Sequence, residues 1–521
     1  MNIRDFMQTN GIHYLLVNST NEFLVEYNTL AQNSRYKLTG FTGSTGEALV
    51  TPQTIYLFVD GRYHIQADNE VNHKTVIVIK LQSLENLIDE IIARVPENEV
   101  LGVFSKKISQ NRALKLSAKR ELKYFAKDPF DEDTNYDNSG DILIDTKYTG
   151  LLSEDKISNI SANLSNDEAL YITDLDEVSY LFNMRNFTRQ PYSAKIQAKA
   201  IIMKDNAILF SGEKLKTLDD FLTNVKHDVF VDKNNINAYE YNLLGDRAFE
   251  MKINPVKLMK AQKNKFELEH LKQAFEKTDN AVKAIREYIN NNNDNLSEFD
   301  IAVQLAKEFK NQGATGLSFA PIVAKDQNSA LAHYSKCSKD EIITDGSLVL
   351  IDCGAYFEGG LATDITRVFV KGEPKPLHKK IYTTVLKAFL NAYNYGKTHN
   401  QRPLYGQEIH NFVKNYFANM ALEGFVFNHG LGHGIGVNVH EYPPNLSERE
   451  IAKVPLLDGE CFSIEPGLYK QGEFGVRLEN SCYYKDSNIH SFVKMNYEKK
   501  LIDYDMLTDI EKEWLSEFEV I

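Results

Sequence analysis

An apolar run ends at Asp352 in the segment Leu348-Val-Leu-Ile-Asp-Cys-Gly354. A second aspartate, Asp364, lies in Thr363-Asp-Ile-Thr-Arg367, where a run of alternating residues begins. The pair Gly359-Gly360 lies between the two segments and predicts a turn. Two strand-like runs joined by a turn predict a β-hairpin. Such a hairpin would bring Asp352 and Asp364 together, although a purely structural role at a strand end is the alternative for either aspartate alone.

Three further segments each carry one side chain that can bind a metal ion. They are His429-Gly-Leu-Gly-His-Gly-Ile-Gly436 with His433, Ser463-Ile-Glu-Pro-Gly467 with Glu465, and Gly475-Val-Arg-Leu-Glu-Asn480 with Glu479. Four carboxylates and one imidazole brought together would force protons onto some of the acids unless positive charge lies among them. Two divalent cations that share bridging carboxylates would supply that charge and activate a water. The predicted metal ligands are Asp352, Asp364, His433, Glu465 and Glu479.

The predicted ligand set contains four carboxylates, one nitrogen and no thiolate. It suits Mn²⁺, Mg²⁺, Co²⁺ or Zn²⁺ and argues against a structural zinc site built from cysteine. The loop around His433 does not end in Gly-Lys-Ser or Gly-Lys-Thr, so it is not predicted to cradle phosphate. The cysteines show no CxxC spacing, and we interpret them as small buried thiols in a reducing compartment. They are Cys337, Cys353, Cys461 and Cys482.

The size and charge of the chain limit the classes of protein to which it can belong. The chain has 521 residues, of which 43% are hydrophobic and 25% charged, and its formal net charge is -13. At roughly 150 residues per domain, this length predicts about three domains. The negative charge argues against nucleic acid as a partner, because binding phosphates requires clustered Lys and Arg. We expect no signal peptide, membrane span or membrane partner, and a cytoplasmic location.

The pattern along the chain predicts two α/β domains followed by a larger one. Residues 1–130 alternate strand-like and helical stretches, and a polar stretch from Asp128 to Asp141 predicts a linker. Residues 131–258 form the second predicted α/β domain. Hairpins are predicted at residues 48–58 in the first domain and 200–210 in the second. Residues 259–521 form the third domain, which opens with an amphipathic helix over 263–290.

The five metal-binding segments, in this order, resemble those of the pita-bread metallopeptidases. The resemblance is strongest to the long, three-domain form of aminopeptidase P (Xaa-Pro aminopeptidase). It extends to Leu38-Thr-Gly-Phe-Thr-Gly-Ser44 and Val59-Asp-Gly-Arg-Tyr63 in the first domain, to 176–185 at the start of the second, and to the tail from Leu501 to Leu515. The spacing from Asp352 to Asp364 is one residue longer than is usual in the family, and the turn at 358–362 can hold the extra residue.

The resemblance implies an α/β (α+β) fold, with two smaller α/β N-terminal domains followed by a C-terminal pita-bread catalytic domain. It implies a dinuclear aminopeptidase that releases the N-terminal residue from Xaa-Pro-Yaa peptides by attack of a hydroxide bridging the metals. Mn²⁺ is the first choice of metal, with Co²⁺ or Zn²⁺ as alternatives. A homodimer is also implied. These expectations come from the family and not from the composition.

The resemblance also assigns roles to residues around the metals. Glu465 would shuttle a proton, His440 would stabilise the oxyanion, and His333 would contact the substrate, which makes these three the catalytic set. Substrate binding would involve His333, His429, His440 and Arg477. A structural loop histidine is the alternative for His333. His429 and His440 flank His433 by four and seven residues, which favours a functional cluster.

Two other functions remain open from the sequence. A prolidase would cleave only Xaa-Pro dipeptides, but prolidases are usually shorter and lack the second N-terminal domain. A non-catalytic pita-bread interaction module would have lost metal ligands, whereas this chain has all five. Creatinase-like hydrolysis without metal is disfavoured for the same reason.

Overall fold

The computed structural model describes residues 2–81, 86–131, 136–292, 295–399 and 403–519. The chain divides into two units. The first comprises Met1–Asp141, Ser153–Asn186 and Lys195–Pro255, and the second comprises Ile142–Leu152, Phe187–Ala194 and Val256–Ile521. Within the described ranges, no helix has both the length and the apolar character needed to cross a bilayer.

A mixed sheet organises the N-terminal part of the first unit. Leu15 and Val17 pack into one apolar cluster and Leu16 into another, because successive side chains of a strand point to opposite faces. Across the sheet the strands are Val76–Lys80, Ile55–Val59, Glu47–Val50, Tyr14–Val17, Leu101–Phe104 and Leu122–Phe125. The α-helices of this part are Ile3–Thr9, Ser34–Thr39, His64–Glu70, Leu87–Ile92 and Gln110–Ser117.

A second mixed sheet follows in the same unit. Its strands, in order, are Ala207–Ser211, Ala198–Met203, Glu168–Ile172, Asp228–Val231 and Ala248–Glu250. The accompanying α-helices are Ser153–Ser161, Leu175–Leu181, Leu218–Asn224 and Ala238–Leu244, and a two-residue strand spans Met184–Arg185. Both predicted hairpins are confirmed, since Leu49 pairs with Tyr56 and Ile201 with Ile208 in antiparallel register. The predicted linker lies partly outside the described residues.

An antiparallel sheet forms the centre of the second unit. Its strands, in order, are Ile322–Lys325, Leu348–Cys353, Ile365–Val370, Glu479–Lys485, Cys461–Ile464, Gly432–Gly434 and Glu441–Leu446, with Asn488–Ser491 paired to Glu479–Lys485. Shorter strands are Ile142–Leu143, Gly316–Leu317, Ala355–Tyr356, Gly467–Tyr469 and Gly475–Arg477. The α-helices are Thr146–Thr149, Pro255–Ala261, Lys265–Asn291, Glu298–Asn311, Pro376–Tyr393, Tyr395–His399, Gly406–Ala418 and Asp509–Ser516. The mixed α/β class predicted from the sequence is confirmed.

The helix predicted over 263–290 forms as Lys265–Asn291. It begins two residues later than predicted because the side chain of Asn264 accepts from the N–H groups of Phe266 and Glu267, while the Glu267 side chain accepts from the N–H of Asn264. This reciprocal cap fixes the first turn. The apolar face is buried as expected, including Leu271 and Ile285, which are both fully buried.

The hairpin predicted between Asp352 and Asp364 is present. Asp352 lies opposite Thr366 in the pair formed by Leu348–Cys353 and Ile365–Val370. A Cβ atom on Gly354 would lie 1.8 Å from the carbonyl oxygen of Thr363, so the close approach at this end requires glycine. The strand predicted here forms as Ile365–Val370 and is buried at every position, so both of its faces are covered.

Candidate metal centre

Three of the predicted ligands lie together on strands of the antiparallel sheet or directly beside one. One ligand atom from each of Asp364, His433 and Glu479 lies within 4.8 Å of the others. Asp364 immediately precedes the strand Ile365–Val370, Glu479 opens the strand next to it, and His433 is the central residue of Gly432–Gly434. The sheet therefore gathers side chains that are far apart in the sequence.

The other two predicted ligands approach the same group. Glu465 Oε1 lies 3.5 Å from His433 Nε2, and Asp364 Oδ2 lies 3.6 Å from the same nitrogen. The negative charge of Asp352 is close enough to raise the pKa of Asp364, Glu465 and Glu479. The structure thus brings all five predicted ligands into one electrostatic cluster.

The cluster fits a site for divalent cations. Burial raises the pKa of Glu465 to about 8, and burial with the charges of Glu465 and Asp352 raises that of Glu479 to about 8. Burial and the neighbouring acids raise the pKa of Asp364 well above its ordinary value. One carboxylate oxygen of Asp352, of Asp364 and of Glu479 is buried without a hydrogen-bond donor among the described residues. Cations bound here would compensate these charges and occupy these oxygens.

A glycine determines how closely the strand bearing His433 approaches its neighbour. A Cβ atom on Gly432 would lie 1.9 Å from the main-chain oxygen of Ser463. The main-chain N–H of His433 donates to the Ser463 hydroxyl at 3.1 Å, and that hydroxyl donates to Glu465 at 3.3 Å. The local sequence therefore holds His433 and Glu465 side by side.

Arg477 links the ligands to the loop that carries His333. Its Nη2 donates to Asp352 Oδ2, and its Nη1 donates to the main-chain oxygen of Ala332 at 3.2 Å and to the hydroxyl of Tyr469 at 2.9 Å. The Arg477 side chain is only 3% exposed, so these bonds fix a desolvated guanidinium. His333 itself is half-buried and follows Ala332 directly in the chain.

Thr366 connects Arg477 to another ligand. Arg477 Nε donates to the Thr366 hydroxyl at 3.1 Å, and that hydroxyl donates to Glu479 Oε2 at 2.7 Å. Arg477 and Glu479 are two residues apart, but Gly475–Arg477 and Glu479–Lys485 belong to different sheets and separate at Leu478.

The tautomer of His429 follows from its two hydrogen bonds. Burial lowers the pKa of His429 to about 3, so the ring is neutral. Nδ1 lies 2.7 Å from the carbonyl oxygen of Gly430 and must donate to it. Nε2 is then the acceptor for the Tyr469 hydroxyl, 2.9 Å away. Tyr469 thus accepts from Arg477 and donates to His429.

His440 lies beside the proposed ligand His433. Their ring centroids are 4.4 Å apart and the rings are nearly perpendicular. The turn between them is held by Asn438, whose side chain donates to the His440 carbonyl at 2.8 Å and whose N–H donates to Glu441 Oε1 at 2.9 Å. Glu441 in turn forms a buried ion pair with Lys260 at 2.9 Å.

Sequence reasoning did not single out Thr366 or Tyr469. For Thr366 a signal existed, because the predicted hairpin places it opposite Asp352. For Tyr469 no local pattern marks a role, since its partners come from two other segments. The expectation for the cysteines is confirmed as to burial for Cys353, Cys461 and Cys482 but is wrong for Cys337, which is only half-buried.

Comparison with known proteins identifies the parts of the chain. Residues 269–486 match the model of metallopeptidase family M24, and residues 1–126 and 136–267 each match a creatinase/prolidase N-terminal domain. An uncharacterized peptidase of Schizosaccharomyces pombe is 28% identical over 99% of this chain and 94% of its own. A probable Xaa-Pro aminopeptidase P of Pyricularia oryzae is 28% identical over 99% of this chain and 93% of its own.

A solved structure shows the same fold. The X-prolyl aminopeptidase of Caenorhabditis elegans superposes with a TM-score of 0.87 at 21% identity, covering 97% of this chain and 90% of that one. This likeness confirms the expected arrangement of two N-terminal domains and a C-terminal pita-bread domain. The chain therefore combines two regions that match creatinase/prolidase N-terminal domains with a C-terminal region that matches metallopeptidase family M24.

Proposed function

We infer that this chain is a metal-dependent aminopeptidase that releases the N-terminal residue from peptides with proline at the second position. The observation that carries the inference is the cluster of Asp364, His433 and Glu479, with Asp352 and Glu465 beside it. Relatives that align along nearly all of this chain are named probable Xaa-Pro aminopeptidase P. The structurally similar C. elegans protein is described as a cytosolic enzyme with a di-nuclear active site.

The five clustered side chains are proposed to hold two divalent cations, with Mn²⁺ as the first choice. When bound, such cations would lower the pKa of a water molecule and so supply a hydroxide nucleophile near neutral pH. Asp352, Asp364, His433 and Glu479 would serve as ligands only. Glu465 follows the end of a strand and directly precedes Pro466. It would have a second role besides metal binding.

Glu465 is proposed to move the proton of the reaction. Its carboxylate would accept a proton from the attacking water and deliver it to the proline nitrogen as the peptide bond breaks. The Ser463 hydroxyl donates to Glu465 Oε1 and restrains its orientation. A tertiary amide leaves as a secondary amine, so this proton is needed for departure of the leaving group.

Histidines are proposed to recognise the substrate. His440, packed against His433, would donate to the oxyanion that develops on the attacked carbonyl. His333 and His429 would line the pocket for the proline ring. The neutral ring of His429, fixed by Gly430 and Tyr469, offers an apolar face with a set orientation. Arg477 would orient Asp352 and the loop before His333.

The prolidase alternative is disfavoured, since the relatives aligned along the whole chain are named for aminopeptidase P. A non-catalytic module is disfavoured because all five proposed metal ligands are present and lie close together. A cytoplasmic location and a homodimer are further proposals. The location follows the description of the C. elegans protein. The dimer follows the family resemblance and is tested by sedimentation equilibrium.

The test uses the whole chain, stripped with a chelator and titrated with Mn²⁺. We expect about two ions to bind per chain and hydrolysis of Arg-Pro-Pro to rise in step with them. The dipeptide Arg-Pro should be cleaved more slowly. Preference for the dipeptide would move the assignment to prolidase, and metal binding without hydrolysis of either peptide would favour a module.

A further inference from the structure

Glu298 is a fully buried carboxylate that accepts four hydrogen bonds. It is the first residue of the helix Glu298–Asn311, which Ser297 caps. Oε1 accepts from the main-chain N–H of Lys325 at 2.7 Å and from the Asn328 side chain at 2.9 Å. Oε2 accepts from the Tyr334 hydroxyl at 2.7 Å and from the main-chain N–H of Ser338 at 3.1 Å.

All four donors belong to one segment, residues 325–338, which we call the His333 loop. The donors lie on both sides of His333 in the sequence, so one carboxylate joins the two arms of the loop. A second anchor is the mutual pairing of Ser329 with the main chain of Gly475, at 3.0 and 2.8 Å. A third is the bond from Arg477 to Ala332.

A carboxylate suits the four donors of the His333 loop, because both of its oxygens accept hydrogen bonds. All four donors are neutral groups, and each carboxylate oxygen receives two of them. Burial and the bond to Glu298 raise the pKa of the Tyr334 hydroxyl, which therefore stays protonated and donates. A glutamine would present an N–H group to two of the four donors, so it could satisfy only half of the loop.

The anchors connect the His333 loop to the candidate metal centre. Ala332 is bound to Arg477, and Arg477 is bound to Asp352. On the far side, Tyr334 is bound to Glu298. His333 lies between these two fixed points, so its position depends on both. Arg477 belongs to the site already described, whereas Glu298 is not one of the proposed metal ligands.

We propose that Glu298 is a positioning residue that orders the His333 loop and thereby sets the affinity of the enzyme for the proline side of the substrate. The proposal rests on the proposed function, because it takes His333 to contact the substrate. Glu298 does not take part in the chemical step. Its removal should therefore weaken binding and leave turnover of bound substrate nearly unchanged.

The test compares four variants of the metal-loaded protein: Glu298→Gln, Glu298→Asp, Tyr334→Phe and, as control, Glu341→Gln. Glu341 is a carboxylate next to the same loop, but it is 33% exposed and lies 3.6 Å from Lys325. For Glu298→Gln we expect KM for Arg-Pro-Pro to rise about tenfold with kcat changed less than about twofold. Tyr334→Phe removes a single donor and should shift KM in the same direction by about threefold.

Two further measurements separate positioning from general damage. Hydrogen exchange at the amides of residues 325–338 should speed up in Glu298→Gln, while the strands of the central sheet keep their protection. Adding Glu298→Gln to His333→Ala should raise KM little further, because the loop then has no histidine to position. Glu298→Asp retains the charge and should recover part of the lost affinity.

A fall in kcat at constant KM, or unchanged exchange in the His333 loop, would overturn the proposal. If Glu298→Gln does not fold, Tyr334→Phe decides by the same two readouts. If the wild-type chain cleaves no Xaa-Pro-Yaa peptide, the proposed function fails. Hydrogen exchange then still decides whether Glu298 orders the loop, independently of activity.

Discussion

Arg477 donates a hydrogen bond from Nη2 to Oδ2 of Asp352, one of the five gathered acid and imidazole side chains. The same guanidinium donates through Nε to Thr366, which donates to Glu479. One desolvated guanidinium group therefore orients two carboxylates on different strands. Its planar fork also reaches Ala332. A lysine has no such fork and can direct its charge at only one of these partners at a time.

Arg477→Lys should lower kcat/KM for Arg-Pro-Pro by about a hundredfold, which corresponds to loss of two charge-assisted hydrogen bonds. Both kcat and KM should change, since Asp352 and the His333 loop lose their common restraint. The control is Arg449→Lys, an exposed arginine of the same unit, for which kinetics should stay at the wild-type level. Wild-type kinetics in Arg477→Lys would show that the network is dispensable.

His433→Ala should cause the loss of one bound cation and lower activity at limiting Mn²⁺ by at least about a hundredfold. The helical and strand content should not change, because the residue is only partly buried. Metal content after gel filtration and circular dichroism are the measurements, with His13→Ala as the control at an exposed position. Normal metal content in His433→Ala would refute the ligand assignment.

Gly432→Ala and Gly430→Ala form a matched pair in one loop. A Cβ at position 432 would lie 1.9 Å from the Ser463 carbonyl oxygen, whereas at 430 its nearest neighbour lies 3.5 Å away. Gly432→Ala must therefore push apart two strands and displace His433, and metal affinity should fall by at least about tenfold. Gly430→Ala should bind metal normally. Equal affinities, measured by calorimetry, would contradict the packing account.

Asp279 should make stability depend on pH. Burial raises its pKa to about 6, although the N–H groups of Lys494 and Met495 bond to Oδ2. A carboxyl with a raised folded-state pKa adds stability that is complete below its unfolded-state value of 3.8 and is lost as pH rises through the folded-state value. Between about pH 5 and about pH 8 this loss amounts to about 1 kcal/mol.

The side chain introduced by Asp279→Asn cannot titrate. The free energy of unfolding of the variant minus that of the wild type should therefore increase by this amount as the pH is raised. Urea unfolding at both pH values, followed by tryptophan fluorescence and circular dichroism, measures the difference. Asp458→Asn, at an exposed position, is the control and should show no such trend. A constant difference between Asp279→Asn and wild type would exclude the raised pKa.

The sequence predicted much of this arrangement because its signals were local. An aspartate at the end of an apolar run, a glycine pair and a glycine-rich histidine segment each indicate a strand end or a turn, and the hairpin at Asp352 formed as expected. The long amphipathic helix was equally clear from its period. The domain boundaries near 130 and 258 stay a prediction, which limited proteolysis would test.

The features that were missed depend on contacts between distant segments. Tyr469 joins His429 to Arg477, and no pattern within one strand could reveal that pairing. The separation of Gly475–Arg477 from Glu479–Lys485 depends on which neighbours each strand finds. Alternation alone could not show it, because two strands joined by a single residue have the same period as one.

Proline specificity is best measured as the ratio of kcat/KM for Arg-Pro-Pro to that for Arg-Ala-Pro in the Mn²⁺-loaded chain. Proline has a fixed φ and no N–H, so a pocket shaped for it binds a rigid partner that loses little conformational freedom. We expect a ratio of at least about a hundred, which corresponds to about 3 kcal/mol. A ratio near one would show that proline is not recognised and make the protein a general aminopeptidase.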